Sequence, residues 1–347
     1  MDGVLVIDKP AGLTSHDVVA AARRATGQKR VGHTGTLDPS ATGVLALVLG
    51  RATRLSRFLT ASRKRYEAGV RLGIATDTYD AAGTAAGEAA SAAAIETIGP
   101  TAVEAALGSF RGSFEQAPPP FSAKKIGGIR AYTLARQQAR VAPPPVMVTV
   151  HALQLVSVDG GLVTLEIACS AGFYVRSLAH NLGLALGVGA HLERLRRTAS
   201  GEFTIEEAFP LERLLEGGVA AAESRLIPLD RLLGDCPGVQ LTQTGAQRIR
   251  HGRTITGDEI RQWLTPQSGE ATTDARDRPL RLLGPDGRLL GVATPGADGA
   301  ANRLRQGYGG PPKLYAKAEA APYLPATQGS PGNGARVPLL HPTVVLV

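Results

Sequence analysis

One carboxylate in this sequence lies in a turn that is typical of a ligand-binding loop. Asp38 precedes Pro39 and lies between two glycines, in the run His33-Thr-Gly-Thr-Leu-Asp-Pro-Ser-Ala-Thr-Gly43. Proline fixes its own φ and moves the preceding residue toward extended backbone, while glycine allows close approaches that other residues resist. A carboxylate held in this way can act as a nucleophile or as an electrostatic stabiliser. An isolated Asp-Pro pair is more often a simple turn, so the neighbouring residues have to decide.

Basic residues surround this turn. The chain carries a formal net charge of +8, and residues 1–65 contain eleven Lys or Arg against four Asp. A basic field around a candidate active site favours a polyanionic substrate, because phosphate neutralisation supplies most of the nonspecific affinity for nucleic acid. Charge alone would fit a solvated basic face equally well.

Apolar periodicity predicts the elements that would hold the turn. The pattern predicts strands at 4–7, 44–49, 66–72 and 163–169, and helices at 15–24, 101–110 and 175–186. Leu195, considered by itself, would be a helix core residue. After about residue 232 the composition changes, and the pattern predicts a strand at 238–241, a helix at 244–251, a hairpin at 280–292 and a terminal strand at 343–347.

Composition excludes several classes of protein. No apolar run is long enough to span a membrane, and no long apolar segment of a secretory signal is present, so we expect a cytoplasmic protein. Two cysteines, Cys169 and Cys236, exclude a disulfide framework and a Cys-based zinc site. His191-Leu-Glu193 matches half of the nucleobase deaminase pattern, but the required P-C-x-x-C is absent. A retaining glycosidase would need a second carboxylate, which sequence spacing does not identify or exclude.

Five stretches of the chain, in this order, resemble the bacterial tRNA pseudouridine-55 synthase family of the TruB type. They are Gly3-Val-Leu-Val-Ile-Asp-Lys-Pro10, the turn at 33–43, Lys64-Arg-Tyr66, residues 116–136 (QAPPPFSAKKIGGIRAYTLAR) and residues 169–195 (CSAGFYVRSLAHNLGLALGVGAHLERL). A short motif can arise by chance, but five in the family's order are specific.

The resemblance implies an α+β fold with two domains. Residues 1–232 would form the catalytic domain, with a mixed, largely antiparallel central sheet flanked by helices. A basic insertion loop around 116–145 would close over the RNA. Residues 233–347 would form a small RNA-binding β-barrel similar to a PUA domain. Because residues 294–336 are rich in Gly, Pro and Ala, we expect a flexible insertion there.

The resemblance also implies an activity, the isomerisation of uridine to pseudouridine at position 55 in the T-loop of tRNA, without a cofactor or metal. The target base must be flipped out, because its reacting atoms are shielded in the stack. Asp38 would be the nucleophile and Arg176 its ion-pair partner, although composition alone favours a surface arginine. Tyr66 would stack on the uracil and help to move a proton. Without the resemblance, an ordinary strand tyrosine is the simpler interpretation.

The remaining site residues are assigned by the same resemblance. His33, Tyr174, Leu195 and Asp80 fall on positions that bind or border the substrate. Phosphates would be bound by Arg63, Lys64, Arg65, Lys124, Lys125 and Arg130. The expected partner is tRNA, through its T-arm and acceptor end, and the expected state is a monomer. A non-catalytic RNA-binding or tRNA-folding protein is the main alternative, and Asp38 separates the two, because binding alone has no use for an acid facing phosphates.

Overall fold

The protein is described here from a computed structural model. It describes residues 1–121, 125–126, 129–130, 144–266, 279–295 and 339–346. The chain divides into two compact units, Met1–Leu226 and Ile227–Val347. The predicted domain boundary, after residue 232, lies within the second unit.

The first unit contains most of the strands and helices. Its strands are β1 (Gly3–Lys9), β2 (Val31–His33), β3 (Thr42–Leu49), β4 (Lys64–Leu72), β5 (Gly112–Gln116), β6 (Lys125–Ile126), β7 (Ile129–Arg130), β8 (Val146–Asp159), β9 (Leu162–Cys169), β10 (Ala190–Ser200), β11 (Phe203–Thr204) and β12 (Phe209–Pro210). Its helices are α1 (Ser15–Thr26), α2 (Ser56–Thr60), α3 (Ala92–Glu96), α4 (Pro100–Leu107), α5 (Val175–Ala185) and α6 (Leu211–Arg225).

The central sheet follows the order β12-β1-β3-β10-β4-β9-β8-β5. The β1/β12 and β10/β3 pairs are parallel, and the other neighbours in this path are antiparallel. The predicted α+β class with a mixed, largely antiparallel sheet is therefore confirmed. Strand β10 lies in the middle of the sheet, so the helical interpretation of Leu195 is wrong: the residue lies on a strand that pairs with β4.

Two apolar clusters lie against this sheet. One joins the buried faces of β4, β8, β9 and β10 to α4 and α5, and the other joins β1 and β3 to α1 and α6. Tyr66 and Leu195 are partly buried and pack against both clusters. These two side chains therefore mark the seam where the clusters meet.

Helix α1 shows how local sequence sets an element beside the turn. Thr14 and Asp17 form a reciprocal capping box, which satisfies main-chain donors at the first turn. Gly27 ends the helix with φ 65°, a left-handed conformation that glycine adopts at little cost. The hydroxyl of Ser15 accepts from the Leu37 amide and donates to its carbonyl. The helix start therefore holds the main chain next to Asp38.

The second unit has its own sheet and core. Its elements are β13 (Ile227–Pro228), β14 (Gly238–Leu241), α7 (Gln243–Arg250), β15 (Ile260–Leu264), β16 (Leu280–Leu283), β17 (Leu289–Pro295) and β18 (Leu340–Val345). The order β15-β14-β16-β17-β18 forms a five-stranded sheet with α7 against its apolar core. The predicted hairpin at 280–292 corresponds to β16 and β17. Most of the predicted insertion at 294–336 lies outside the described residues.

Within the part of the chain that the structure describes, no helix has the length and apolar character needed to cross a bilayer.

Candidate active site

A cavity of about 270 Å³ opens beside the Asp38 turn. It brings together six of the residues predicted from the sequence, although they are far apart in the chain: Asp38, Lys64, Tyr66, Tyr174, Arg176 and Leu195. The rest of its wall is formed by residues 35–37, Thr60, residues 170–173, Val175 and Arg197. The turn, β4, β10 and the start of α5 therefore meet at one site.

Asp38 and Arg176 form a two-point ion pair. The Arg176 Nε lies 2.9 Å from Asp38 Oδ2, and Nη2 donates to Asp38 Oδ1 at 3.2 Å. Asp38 lies in the turn between β2 and β3, and Arg176 is the second residue of α5. The paired geometry matches the planar fork of a guanidinium to both carboxylate oxygens, which fixes the direction of the carboxylate as well as its distance.

The Arg176 guanidinium is itself held from several sides. Its side chain is only 9% exposed, and Nη1 donates to the carbonyl of Thr78 at 3.2 Å and lies 3.5 Å from Asp80 Oδ2. Nη2 also donates to the carbonyl of Phe121 at 3.0 Å. Asp80 is fixed in turn, since its Oδ1 accepts from the Thr78 hydroxyl and the Ala82 amide. The orientation of Arg176 toward Asp38 is therefore set by surrounding main chain and by a second carboxylate.

Burial and the neighbouring charges shift the pKa of the Asp38 carboxyl in opposite directions. Burial raises the pKa of the Asp38 carboxyl above its ordinary value, and this is the largest effect. The Arg176 charge and hydrogen bond and the Lys9 charge lower that pKa, whereas the Asp80 charge raises it. The net pKa is raised, so the ionised carboxylate is less stabilised than in water and more ready to bond to an electrophile.

Lys9 stabilises the Asp38 turn through hydrogen bonds to main-chain carbonyls. Its fully buried ammonium donates to the carbonyls of Pro10, Leu13 and Pro39. The bond to Pro39 joins β1 directly to the residue after Asp38. Lys9 therefore acts on the shape of the turn and, through its charge, on the Asp38 carboxyl.

Tyr66 faces the cavity from β4. Burial raises the pKa of its phenol, while the charge of Arg197 and a hydrogen bond with Arg197 lower it. The phenol therefore stays protonated near neutral pH, with an aromatic face at the cavity and a polar tip beside a cation.

Arg197 is the site residue that the sequence analysis missed. It is 2% exposed, and its Nε donates to the carbonyl of Val44 at 2.7 Å. Its Nη2 donates to the carbonyl of Gly35 at 3.1 Å, and Nη1 lies 3.5 Å from that of Thr36. Alternation along 190–200 would have placed Arg197 on the same strand face as Leu195, had a strand been predicted there.

Gly43 shows why the turn needs glycine at its end. Its φ of 96° lies in the left-handed region, and a Cβ there would overlap the main-chain oxygen of Arg197. The two strands β3 and β10 pair at this residue. Glycine therefore permits both the backbone conformation and the close approach.

His33 lies near the site but outside the cavity wall. Its Nδ1 accepts from the Gly35 amide at 3.3 Å, and its ring packs edge-on against His16 with centroids 5.3 Å apart. Burial, followed by the charges of His16 and Arg197, lowers the pKa of His33, so its ring is neutral at pH 7.

The residues predicted to bind phosphate fall into three groups. Arg63 and Arg65 are exposed, as a phosphate contact requires. Lys64 is 6% exposed, and its ammonium donates to the carbonyls of Thr60 and Ser62 and to the Ser62 hydroxyl. Its role as a phosphate contact stays a prediction, and its ammonium is bonded to these groups in the wall of the cavity. Lys124 and the side chains of Lys125 and Arg130 lie outside the described residues.

Among the described residues, no group of three or more His, Cys, Asp or Glu side chains is arranged to hold a metal ion. The thiol of Cys169 is buried, which raises its pKa to about 12 and leaves it unreactive.

Two family models match successive parts of the chain. Residues 23–175 match the N-terminal domain of TruB family pseudouridylate synthases, and residues 176–235 match the C-terminal domain of tRNA pseudouridylate synthase B. A tRNA pseudouridine synthase B from Solibacter usitatus is 47% identical over 281 residues, which cover 80% of this chain and 94% of the relative. The chain belongs to the TruB family. The predicted resemblance is confirmed.

Other relatives and solved structures agree with the TruB assignment. The tRNA pseudouridine synthase B of Geobacter sulfurreducens is 42% identical over 295 residues, covering 84% of this chain and 93% of the relative. A crystal structure of a Cbf5–Nop10–Gar1 complex matches 84% of this chain and 78% of its own, with 26% identity and a TM-score of 0.64. An H/ACA RNP bound to a substrate RNA containing 2'-deoxyuridine matches the same shares with 25% identity and a TM-score of 0.62.

Proposed function

We propose that the protein isomerises uridine 55 in the T-loop of tRNA, with Asp38 as its nucleophile and without a cofactor. The coarser activity is that of the family to which the chain belongs: it is an isomerase that converts uridine to pseudouridine in tRNA. The position in tRNA and the residue roles are the parts that we add.

The reaction makes limited demands on the protein. The N1 to C1′ bond breaks, a C5 to C1′ bond forms, the proton leaves C5, and a proton is placed on N1. Product and substrate have the same composition, so no oxidant, reductant or energy source is consumed. The site must expose the base, provide a nucleophile and move one proton.

One observation carries the proposal: the carboxylate of Asp38 is held at two points by Arg176 at the wall of a cavity that also contains Tyr66. A site that only bound RNA would gain nothing from a carboxylate among basic residues, because the carboxylate would repel phosphate. A fixed nucleophile of raised pKa, beside an aromatic ring that can stack on a base, is what base isomerisation requires.

The other roles follow from position. Tyr66 would stack on the flipped uracil and help to transfer a proton, while Tyr174 and Leu195 line the cavity and would enclose the ring. Asp80 would act through Arg176, which it contacts. His33, neutral and outside the cavity, would contact RNA and favour extrusion of the base.

Binding of the whole tRNA would use surfaces beyond the cavity. Exposed Arg63 and Arg65 would contact phosphates of the T-arm, together with Lys124, Lys125 and Arg130. We infer that the second unit is a PUA-like RNA-binding domain that holds the acceptor end, supported by its small five-stranded sheet. The active state that we propose is a monomer.

The decisive variant is Asp38→Asn, which keeps the size of the side chain and removes the nucleophile. We expect no pseudouridine in a tRNA transcript, measured by nucleoside analysis, with tRNA affinity nearly unchanged. Asp159→Asn, an exposed carboxylate at the end of β8, is the matched control and should be fully active. Pseudouridine formation by Asp38→Asn would refute the role of Asp38.

Mapping pseudouridine in RNA from cells with and without the protein tests the position. Loss confined to position 55 of tRNA is the expected result. Loss in ribosomal RNA instead would show that another RNA is the substrate. That result would not contradict the proposed role of Asp38.

A further inference from the structure

Residues 116–121, named the 116–121 segment below, contact the Arg176 guanidinium through the carbonyl of Phe121. We propose that this segment fixes the start of α5 against Asp38, and that Gln116 is the positioning residue that anchors it. The inference rests on the proposed function, since it concerns the geometry of the same ion pair.

Gln116 binds one residue through both ends of its side-chain amide. Its Oε1 accepts from the Tyr174 amide at 2.8 Å, and its Nε2 donates to the Tyr174 carbonyl at 3.0 Å. Gln116 is 2% exposed and ends β5, whereas Tyr174 precedes α5 by one residue. The amide thus pairs with Tyr174 as a neighbouring strand would, across 58 residues of sequence.

This contact fixes the main chain of the residue at which α5 begins. Tyr174 occupies the N-cap position of α5, and its side chain makes no capping hydrogen bond. Its amide donates to Gln116, and its carbonyl accepts from Gln116 and from the Leu178 amide of the first turn. Because Arg176 is only two residues farther on, a change in the direction of the cap residue would rotate or displace the guanidinium.

Two further contacts join the same segment to the first turn of α5. The Ser177 hydroxyl donates to the carbonyl of Ala117 at 2.8 Å, and Arg176 Nη2 donates to the carbonyl of Phe121 at 3.0 Å. Pro118, between these carbonyls, is buried. One contact fixes the helix turn that carries Arg176 and the other fixes its guanidinium, so both constrain the position of the cation.

The contact with Phe121 links the segment directly to the reacting carboxylate. The same Nη2 nitrogen that donates to the Phe121 carbonyl also donates to Asp38 Oδ1 at 3.2 Å. If the segment moved, its carbonyl would withdraw or would pull the nitrogen away from Asp38. The position of Gln116 therefore bears on the orientation of the nucleophile, without Gln116 touching the substrate.

The chemistry of Gln116 provides a specific test. The position needs one acceptor, toward the Tyr174 amide, and one donor, toward its carbonyl. A carboxylate provides two acceptors, but a protonated carboxyl provides one of each. Gln116→Glu should therefore work only when it is protonated. Burial and the facing carbonyl raise the pKa of such a carboxyl above the ordinary value for Glu.

The experiment measures single-turnover pseudouridine formation in a tRNA transcript, from about pH 5 to about pH 9, for the wild type, Gln116→Glu and Gln116→Ala. Glu115→Gln is the matched control, since it makes the reverse exchange at the adjacent, exposed position of β5. We expect the rate of Gln116→Glu, divided by the wild-type rate, to fall as pH rises through the pKa of the new carboxyl.

Gln116→Ala should lower the single-turnover rate by about 10- to 100-fold at every pH, because small misplacements of a catalytic group carry penalties of that order. The KM of Gln116→Ala for tRNA should stay close to the wild-type KM. The single-turnover rate of Glu115→Gln should stay close to the wild-type rate. Thermal melting of each variant checks that it is folded under the conditions of the rate measurement.

Two results would overturn the inference: a Gln116→Ala rate within about twofold of the wild type, or a Gln116→Glu ratio that does not change with pH. Either result, with an active wild type, would leave the proposed function intact. A wild type and a Glu115→Gln variant that both form no pseudouridine in tRNA would instead reject the proposed function.

Discussion

Two buried arginines lie in the wall of the same cavity and are neutralised in different ways. Arg176 is paired with two carboxylates, Asp38 and Asp80. Arg197 forms no ion pair with any carboxylate in the described part of the chain, and its guanidinium is directed at the carbonyls of the Asp38 turn and of β3. One guanidinium therefore orients the carboxylate that we propose as the nucleophile, and the other shapes the loop that carries it.

The partners of each guanidinium, carboxylates or carbonyls, decide what that guanidinium does to its neighbours. A guanidinium satisfied by carboxylates has its charge cancelled locally, so it controls the direction and ionisation of those carboxylates. A guanidinium satisfied by carbonyls keeps its charge. Burial is the largest effect on the pKa of each neighbouring group, and the Arg197 charge adds to the lowered pKa values of Lys64 and His33 and opposes the raised pKa of Tyr66. Substitution of Arg176 should therefore affect rate, and substitution of Arg197 should affect stability.

The largest effect is expected for Arg176→Lys. Lysine keeps the charge but loses the planar fork, so it cannot hold both oxygens of Asp38 and the carbonyls of Thr78 and Phe121 together. We expect the single-turnover rate to fall by about 100- to 1000-fold, the usual range for removing an oriented donor. The effect on the rate should exceed the effect on the melting temperature, which also falls because the carbonyls of Thr78 and Phe121 lose a donor. A rate within about threefold of the wild type would contradict the distinction between the two arginines.

Arg197→Lys should have the opposite profile. An ammonium cannot reach the carbonyls of Gly35, Thr36 and Val44 together, and buried carbonyls left without donors are costly. We expect the free energy of unfolding, measured in urea, to fall by about 3 kcal/mol. Arg194→Lys, exposed on the same strand, is the control. If Arg197→Lys were as stable as its control but inactive, Arg197 would belong to the chemistry and not to the support.

Asp80→Asn tests the effect of Asp80 on the Asp38 carboxyl and on Arg176. The Asp80 charge raises the pKa of the Asp38 carboxyl, so its removal should lower that pKa. Because the ionised form of Asp38 is the proposed nucleophile, the acid limb of the pH profile should move to lower pH. The rate at its plateau should fall by about tenfold, since Arg176 loses one of its partners. An acid limb that stays in place or moves to higher pH would show that Asp80 does not act on Asp38.

Lys64→Met tests the lowered pKa of Lys64, to which the Arg197 charge contributes, and gives the smallest effect. Burial, followed by the Arg197 charge, lowers the pKa of Lys64 from 10.5 to about 8. Between those values the unfolded chain binds more protons, so the stability of the wild type should rise with pH. Relative to Lys64→Met, the gain should be about 1 kcal/mol between pH 8 and pH 9. Lys29→Met, an exposed lysine, should show no such difference.

The sequence was informative where a motif placed chemistry in a constrained turn. Asp38, Arg176 and Tyr66 could be identified from ordered motifs, and the alternating pattern of 66–72 correctly predicted β4. Arg197 and Gln116 could not, because each acts on main chain of residues distant in sequence. Their partners are carbonyl and amide groups, which every residue has and no motif marks.

Burial and pairing were harder to predict. The resemblance and the basic run predicted that Lys64 contacts phosphate, and the alternation of β4 places its side chain on the buried face. Leu195 fits a helix and a strand equally well, since one apolar residue has no period. The central position of β10 depends on pairing with β3 and β4, and pairing is a property of the folded chain.

The location of Tyr66 and Leu195, at the seam between two apolar clusters, has a consequence for variation in the protein. Both side chains line the cavity, so a core substitution that moves either of them would alter the width of the proposed base-binding site. Selection for heat resistance and selection for substrate fit would therefore act on overlapping sets of positions. Variants chosen only for a higher melting temperature should be screened for altered tolerance of modified pyrimidines.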